Sequence, residues 1–272
     1  MRIRVVLVEP LYEGNVGSVA RAMKNFGFSD LVLVRPCEIE DFGLAMASHA
    51  REVIEGARVV DGLGDAISAA NLVVGTTGVR GRTTDRHLRV PSLSPKELAE
   101  RLQGGRGEVA LLLGREDDGL SCEELAACDV VVSIPTSPEY PIMNLSHAAA
   151  VLLYELSRVE GGEVELARPE NLARLLDHFR AALVESEYHQ HKLEKTMLML
   201  KRIFGRARLT DREVQTLRGV VRNLRWGAVH RGGGSEEWCF GAGTEVREDG
   251  EDEGEGAAGS DRSGVQEQGE GS

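Results

Sequence analysis

From Ile3 to about Arg158, short β-branched runs alternate with stretches whose apolar residues recur at helical spacing. IRVVLV (Ile3 to Val8) leads into VARAMKNFG, LVLV into LAMASHAREVIEGA, and the pair VV at 59–60 into LGDAISAAN. The alternation continues through LVVGTT, KELAERLQ, EVALLLG, CEELAA, VVVSI and NLSHAAAVLLYELSR. Strands alternating with helices predict an α/β domain over residues 1–159, a Rossmann-like, mostly parallel sheet covered on both faces. Glycines and polar residues fall at the C-terminal ends of the predicted strands, where open α/β sheets bind ligands.

A break follows at EGGEVELARPE (Glu160 to Glu170), where glycines, charges and Pro169 interrupt the helical pattern and predict an interdomain linker. Beyond it, residues 171–231 read as a small all-helical domain: ENLARLLDHFRAALVE, KLEKTMLMLKRIFGRA and TDREVQTLRGVVRNLRWGAV. Thr210 with Glu213 three residues on is a capping box that opens the last helix. Leu217, Val220, Val221 and Leu224 supply its apolar stripe, while Arg218, Arg222 and Arg225 face elsewhere. From Gly232 the chain is glycine-rich and acidic, a composition that cannot offset its ordering entropy, so residues 232–272 are expected to be disordered. Trp238 and Phe240 form a short aromatic island in that tail.

Charge sharpens this division. The 272 residues carry a net charge of −12, but the tail alone holds 12 Asp or Glu against 2 Arg, leaving −2 for residues 1–231. Within that body, residues 172–231 hold 13 Lys or Arg against 6 Asp or Glu, a local balance of +7. A basic module on a near-neutral body suits a polyanion partner; a solvated helical face has the same composition. A hydrophobic content of 42% supplies a real core. No apolar run approaches the roughly 20 residues that span a bilayer, and MRIRVVLVEP lacks a signal-peptide core. A soluble, cytoplasmic protein with no membrane partner is expected. Cys37, Cys122, Cys128 and Cys239 form no CxxC pair and read as reduced thiols.

Three segments carry candidate chemistry. NVGSVARAMKNFGF (Asn15 to Phe28) follows the first strand and sets Asn15 and Arg21 at the mouth of a strand-loop-helix unit. Its small residues Gly14, Gly17, Ser18 and Ala20 admit a close backbone or an anionic ligand. Asn15 can present its amide to a ligand or cap the following helix. LLLGREDDGLS (Leu111 to Ser121) ends a buried strand at Gly114, and Ser121 caps the helix CEELAA. IPTSPEYPIMNLSHAAAVLLYEL (Ile134 to Leu156) joins a buried strand to a helix, and Ile134, Met143 and Leu145 are apolar candidates for covering an adenine. Asp117 and Asp118 read as solvated loop charges, and no acid or His cluster completes a metal site. His147, beside an Ala-rich helical face, reads as a packing or capping residue.

In order and spacing, the three segments resemble the motifs of the SPOUT superfamily of RNA methyltransferases, specifically the tRNA ribose 2′-O-methyltransferases of the TrmJ type. The likeness covers roughly residues 3–158, with weaker motifs in the helical C-terminal module. It implies a C-terminal trefoil knot in the catalytic domain, S-adenosyl-L-methionine as methyl donor, and a homodimer with the cofactor pocket near the subunit interface. It also implies tRNA as the partner, with the ribose at position 32 of the anticodon loop as target. The resemblance places Arg21, Asn15, Glu116 and Asn144 at the reaction centre. It places Thr76, Thr77, Gly78, Gly114, Arg115, Glu116, Ile134, Met143, Asn144, Leu145 and Ser146 around the cofactor. The segment GTTGVRGRTTDRHLRV then sets Arg80, Arg82, Arg86 and Arg89 beside the site to hold RNA phosphates; a solvated loop is the plainer reading. Ile142 stands where related ribose methyltransferases carry Ser. A guanidinium is a poor general base, so Arg21 is expected to stabilise the attacking ribose oxygen rather than remove its proton. The motifs alone are shared with rRNA ribose methyltransferases, and a SPOUT-like binder that transfers nothing is the non-enzymatic alternative.

Overall fold

A computed structural model describes residues 1–78 and 91–230. Arg80, Arg82, Arg86 and Arg89 lie outside the described residues, as do the acidic tail, Trp238 and Phe240. The strands are β1 (Arg2–Val8), β2 (Asp30–Val34), β3 (Arg58–Val60), β4 (Leu72–Thr76), β5 (Ser92–Leu93), β6 (Gly105–Arg106), β7 (Glu108–Leu113), β8 (Val130–Val132) and β9 (Val164–Glu165). The helices are α1 (Glu13–Asn25), α2 (Asp41–Ala47), α3 (Arg51–Glu55), α4 (Leu63–Ile67), α5 (Pro95–Leu102), α6 (Cys122–Ala127), α7 (Leu145–Leu156), α8 (Pro169–Glu185), α9 (Gln190–Ala207) and α10 (Asp211–His230).

Seven strands form one sheet in the order β3-β2-β1-β7-β4-β8-β5, every neighbouring pair parallel. The central strands are apolar on both faces because both are covered. Val5, Leu7, Leu111 and Leu113 pack with α1 and α7, whereas Val6, Val8, Ala110 and Leu112 pack with Ala66 of α4 and Leu125 of α6. β1, β7, β4 and β8 all end on the same edge, so the loops after Val8, Leu113, Thr76 and Val132 meet there.

The helical stretch expected over LAMASHAREVIEGA is broken at Ser48, which turns left-handed (φ 52°) between α2 and a short 3-10 turn leading to α3. The segment expected as a linker carries β9, which pairs with β6. Asn71 donates to its Ala167 carbonyl at 3.1 Å.

The C-terminal helices gather on Leu175, Val214 and Phe179, with α8 and α10 side by side. The Thr210–Glu213 capping box is formed. Much of this module's positive charge points inward or is paired. The Lys201 ammonium donates to the Ala127 carbonyl at 2.5 Å, and buried Arg202 donates to the Leu125 carbonyl at 2.7 Å. Both cations thus sit at the C-terminal end of α6, where the helix dipole favours them. Arg180 is paired with Glu194, and Arg225 with Glu185.

Lys201 also lies 3.8 Å from Asp129, a buried carboxylate that accepts the Val73 N–H at 2.8 Å. Lys201→Met is expected to destabilise the protein by about 2 kcal/mol in urea unfolding, because it strips a buried carboxylate of its counter-charge. Burial raises the Asp129 carboxyl, against the opposing pull of Lys201, the Val73 amide and Arg202. The folded protein therefore holds that proton to higher pH than the unfolded chain, and ionised Asp129 costs stability as pH rises. The Lys201→Met deficit should accordingly grow as pH rises above the ordinary carboxylate range.

Candidate active site

The site begins where β7 ends. Between Leu113 and Ser121 the chain closes a tight loop: the Arg115 N–H donates to the Gly119 carbonyl at 3.2 Å, and the Gly119 N–H returns to the Arg115 carbonyl at 3.0 Å. Gly119 adopts φ 68°, and a Cβ on Gly114 would overlap the backbone of Gly119 and Leu120. The Arg115 side chain locks this loop from outside. Its Nε donates to Glu9 at 2.6 Å, and its two Nη atoms donate to the Glu124 carboxylate at 3.0 Å each. Glu9 ends β1 in a left-handed conformation (φ 48°) and is held in turn by Arg35. The Glu124 hydrogen bond raises the Arg115 guanidinium further above its usual value. Burial alone would raise the Glu124 carboxyl, but Arg115 and the Ser121 amide outweigh it and hold it low. The Arg115 charge is thus committed to two carboxylates.

Glu116, next in the chain, reaches the first motif. Its carboxylate accepts the Leu11 N–H at 2.9 Å, the Tyr12 N–H at 3.4 Å and the Asn15 Nδ2 at 2.8 Å. Asn15 Oδ1 accepts from Asn144 Nδ2 at 3.0 Å, and Asn144 Oδ1 caps α7 by accepting the Ser146 N–H at 2.9 Å and the Ser146 hydroxyl at 2.7 Å. One hydrogen-bond chain, Glu116–Asn15–Asn144–Ser146, joins all three motifs. Asn15 is therefore not the N-cap of its helix: α1 starts at Glu13, with Tyr12 as a cap that offers no side-chain bond. Glu116, 101 residues away from Asn15, ties both the turn that leads into α1 and the Asn15 side chain to the second motif. Nor is the approach to the first motif an open loop for an anion, since a carboxylate of the protein itself accepts the Leu11 and Tyr12 amides there.

Thr76, Thr77, Gly78, Gly114, Arg115, Glu116, Ile134, Met143 and Leu145 line a cleft of about 930 Å³, open mouth included. Asn144 and Ser146 fall outside that lining, at the N-terminus of α7. The sequence reading missed the apolar floor of Leu113, Leu120, Val132 and Leu152; the strand-end position of Leu113 and Val132 is the signal that could have found them. It also missed Thr136, Pro141 and Ile142 as parts of the wall. A Cβ on Gly78 would come within 2.9 Å of Ile142 Cδ1, so the glycine lets the two walls approach closely. The Thr76 hydroxyl donates to the Leu112 carbonyl at 2.9 Å.

The donor set suits a flat apolar group attached to a cation. Aliphatic and thioether side chains can cover an adenine ring, and the lining carboxylates of Glu116, Asp117 and Asp118 favour positive charge. Burial pushes the Cys128 thiol up to about 12, which removes it as a nucleophile near neutral pH. Among the described residues no group of three or more His, Cys, Asp or Glu side chains is placed to hold a metal ion. Nor is any of their helices long and apolar enough to cross a membrane.

Arg21 stands apart from the cleft. It is exposed, and among the described residues it makes no ion pair or hydrogen bond. It shares a face of α1 with Gly14 and Gly17, at i−7 and i−4. Those glycines are covered by Phe42 and Met46 of α2, which are 61% and 40% exposed.

Comparison with known proteins agrees with this geometry. Residues 2–154 match the model of the SpoU rRNA Methylase family, and residues 170–232 match that of the tRNA methyltransferase TrmJ, C-terminal domain. The chain is 41% identical over 223 residues to the tRNA (cytidine-2′-O-)-methyltransferase TrmJ of Methanocaldococcus jannaschii, across 79% of this chain and 96% of the relative. It is 37% identical over 247 residues to the tRNA (cytidine/uridine/adenosine-2′-O-)-methyltransferase TrmJ of Pseudomonas aeruginosa, across 81% and 92% of the two chains. Among solved structures, TrmJ from Z. mobilis ZM4 superposes with a TM-score of 0.65 at 29% identity, covering 82% of this chain and 99% of that one. With a methylase-family match over residues 2–154 and relatives aligned over nearly their whole length, this chain belongs to the SpoU methylase family and carries a TrmJ-type C-terminal domain.

Proposed function

We propose that the protein is an S-adenosyl-L-methionine-dependent tRNA ribose 2′-O-methyltransferase. The observation that carries this reading is the Glu116–Asn15–Asn144 chain, which draws all three motifs to the mouth of a cleft suited to a cationic adenine-bearing ligand. The relatives' names supply the reaction, and the TrmJ-type C-terminal match favours tRNA over rRNA. When bound, the cofactor supplies an electrophilic methyl group and departs as a neutral thioether. Ile134, Met143 and Leu145 would cover its adenine, with the backbone of 76–78 and 114–116 along its edge. Glu116 would favour the positively charged donor over the neutral product. Asn15 and Asn144, each fixed by the other, would orient the ribose. Arg21 would stabilise the oxygen as charge develops on it, leaving the proton to another acceptor such as a substrate phosphate. Arg115 serves as a positioning residue through its clamp on the 114–119 loop.

The same reading includes a cytoplasmic homodimer, a trefoil knot and a target at position 32 of the anticodon loop. Supporting the knot, β8 inserts between β4 and β5, so a late strand parts two earlier ones. Supporting the dimer, Arg21 is exposed and does not line the cleft of its own chain, and the face of α1 that it shares with Gly14 and Gly17 carries the exposed Phe42 and Met46. Arg80, Arg82, Arg86 and Arg89, with the basic helical domain of residues 171–231 beyond the 160–170 segment, would hold phosphates. Raising salt from about 50 to about 200 mM should then weaken tRNA binding at least tenfold, and unchanged binding would remove that part of the proposal. The reaction is tested by incubating the protein with methyl-labelled S-adenosylmethionine and separate tRNA and rRNA pools. Label in tRNA, resistant to alkaline cleavage at one ribose, is the expected result. Label in rRNA alone would reassign the substrate, and no label in either pool would leave a binder.

A further inference from the structure

The segment from Ile134 to Asn144 is the wall of the cleft, yet it also displays an aromatic ring to solvent. Tyr140 is 81% exposed, more than any other large hydrophobic side chain among the described residues. Its neighbours Pro141 and Ile142 line the cleft, and Asn144, four residues on, holds the hydrogen-bond chain at the rim. The segment that carries the ring is therefore the one that also lines the cleft and holds its rim.

The backbone that presents it is closed at several points. The Tyr140 N–H donates to the Ser137 carbonyl at 3.2 Å, completing a β-turn with Pro138 at its second position. The Glu139 N–H donates to the Ser137 hydroxyl at 3.3 Å, and the Thr136 hydroxyl closes the base of the loop on the Pro141 carbonyl at 3.0 Å. Pro141 further restricts the backbone of Tyr140 itself. Among the described residues nothing stacks on the ring or bonds to its hydroxyl. A large aromatic held out on a pre-ordered loop loses little entropy when it meets a flat partner.

We propose that Tyr140 is a substrate-positioning residue on which the base of the target nucleotide stacks when its ribose enters the cleft. The inference rests on the RNA methyltransferase reading above. Unpaired bases in RNA loops are captured by stacking on aromatic side chains, and such stacking tolerates any base because every base has a flat face. Tyr140 fixes the plane of the base, while Asn15 and Asn144 address the ribose attached to it.

The test uses the full-length protein, a tRNA transcript and labelled S-adenosylmethionine. Tyr140→Ala should raise KM for tRNA about tenfold and leave KM for S-adenosylmethionine, the unfolding temperature and the oligomeric state unchanged. Tyr140→Phe and Tyr140→Trp should restore KM for tRNA to within about twofold, since stacking needs the ring and not the hydroxyl. The penalty in Tyr140→Ala should be the same whichever base stands at the target position. Methyl transfer by wild type together with an unchanged KM in Tyr140→Ala would overturn this inference while leaving the proposed reaction standing. Loss in Tyr140→Phe equal to that in Tyr140→Ala would assign the effect to the hydroxyl and likewise overturn it. Dissociation of Tyr140→Ala into monomers would show the ring to be a subunit contact instead. Failure of wild type to methylate any RNA overturns the reaction and this inference with it.

Discussion

Arg21→Ala is expected to lower kcat for tRNA methylation by about 10²- to 10³-fold, the usual loss when one stabiliser of a developing oxyanion is removed. KM for S-adenosylmethionine should not move, because Arg21 does not line the cleft. Stability should not move either, since the side chain is exposed and makes no ion pair or hydrogen bond among the described residues. Arg21→Lys should recover part of the rate: it keeps the charge and gives up the planar fork of donors. The pH–rate profile from about pH 6 to about pH 9 should keep its shape in Arg21→Lys, because the side chain stabilises the developing charge and does not take the proton. A profile that loses an ionisation in that variant would assign Arg21 to the proton transfer after all.

The same residue offers a test of the dimer. Six residues separate Asn15 from Arg21, so the two project from different sides of α1, roughly 9 Å apart along its axis. If Arg21 serves the cleft of a partner subunit, two defective variants should rescue each other. Ile142→Arg is the companion: Ile142 is 47% exposed, so the fold tolerates the change, and a guanidinium in the cleft wall opposes a cationic cofactor. Mixing it with Arg21→Ala under subunit exchange should restore about a quarter of wild-type activity, because half the dimers then carry one intact composite site. No recovery in a mixture shown to contain heterodimers would place Arg21 in the cleft of its own chain.

The parts of the fold legible in the sequence are those with a local cause. Alternating strand and helix patterns located β1, α1, β2, β4, β7 and α7 because each buries its own apolar run against the sheet. Thr210 with Glu213 and Ser121 with Glu124 are boxes whose partners lie three residues apart, and both are formed. What the sequence hid depends on partners far along the chain. Asn15 could be read as a cap because its partner Glu116 lies 101 residues on, in the second motif, where no local pattern points to it. Arg115 lies in the cleft lining, but nothing near it in the sequence shows that Glu9 faces it across the sheet edge. Lys201 and Arg202 counted toward a basic surface, yet their partners are carbonyls of α6, and carbonyls leave no trace in composition. The family motifs located the cleft because residues from three distant segments had been read as one set.

Gly114→Ala is expected to abolish methyl transfer by destroying the cofactor loop, although it adds a single methyl group. The added Cβ would overlap the backbone of Gly119 and Leu120, and backbone atoms cannot rotate away as the end of a flexible side chain can. The loop could move aside only by breaking the paired bonds between Arg115 and Gly119, and with them the bidentate grip of Arg115 on Glu124. Such a shift also drags Glu116 from the Leu11 and Tyr12 amides and from Asn15, so the cost should reach about 2–4 kcal/mol in urea unfolding. S-adenosylmethionine affinity measured by calorimetry should fall at least 100-fold, far beyond what lost stability explains in a protein still folded at 25 °C. Gly78→Ala is the control within the same cleft. There the new methyl group meets only the flexible end of Ile142, which can turn away, so affinity should fall less than tenfold. Equal losses in the two variants would mean that crowding of the cleft, and not the backbone path of the 114–119 loop, sets cofactor affinity.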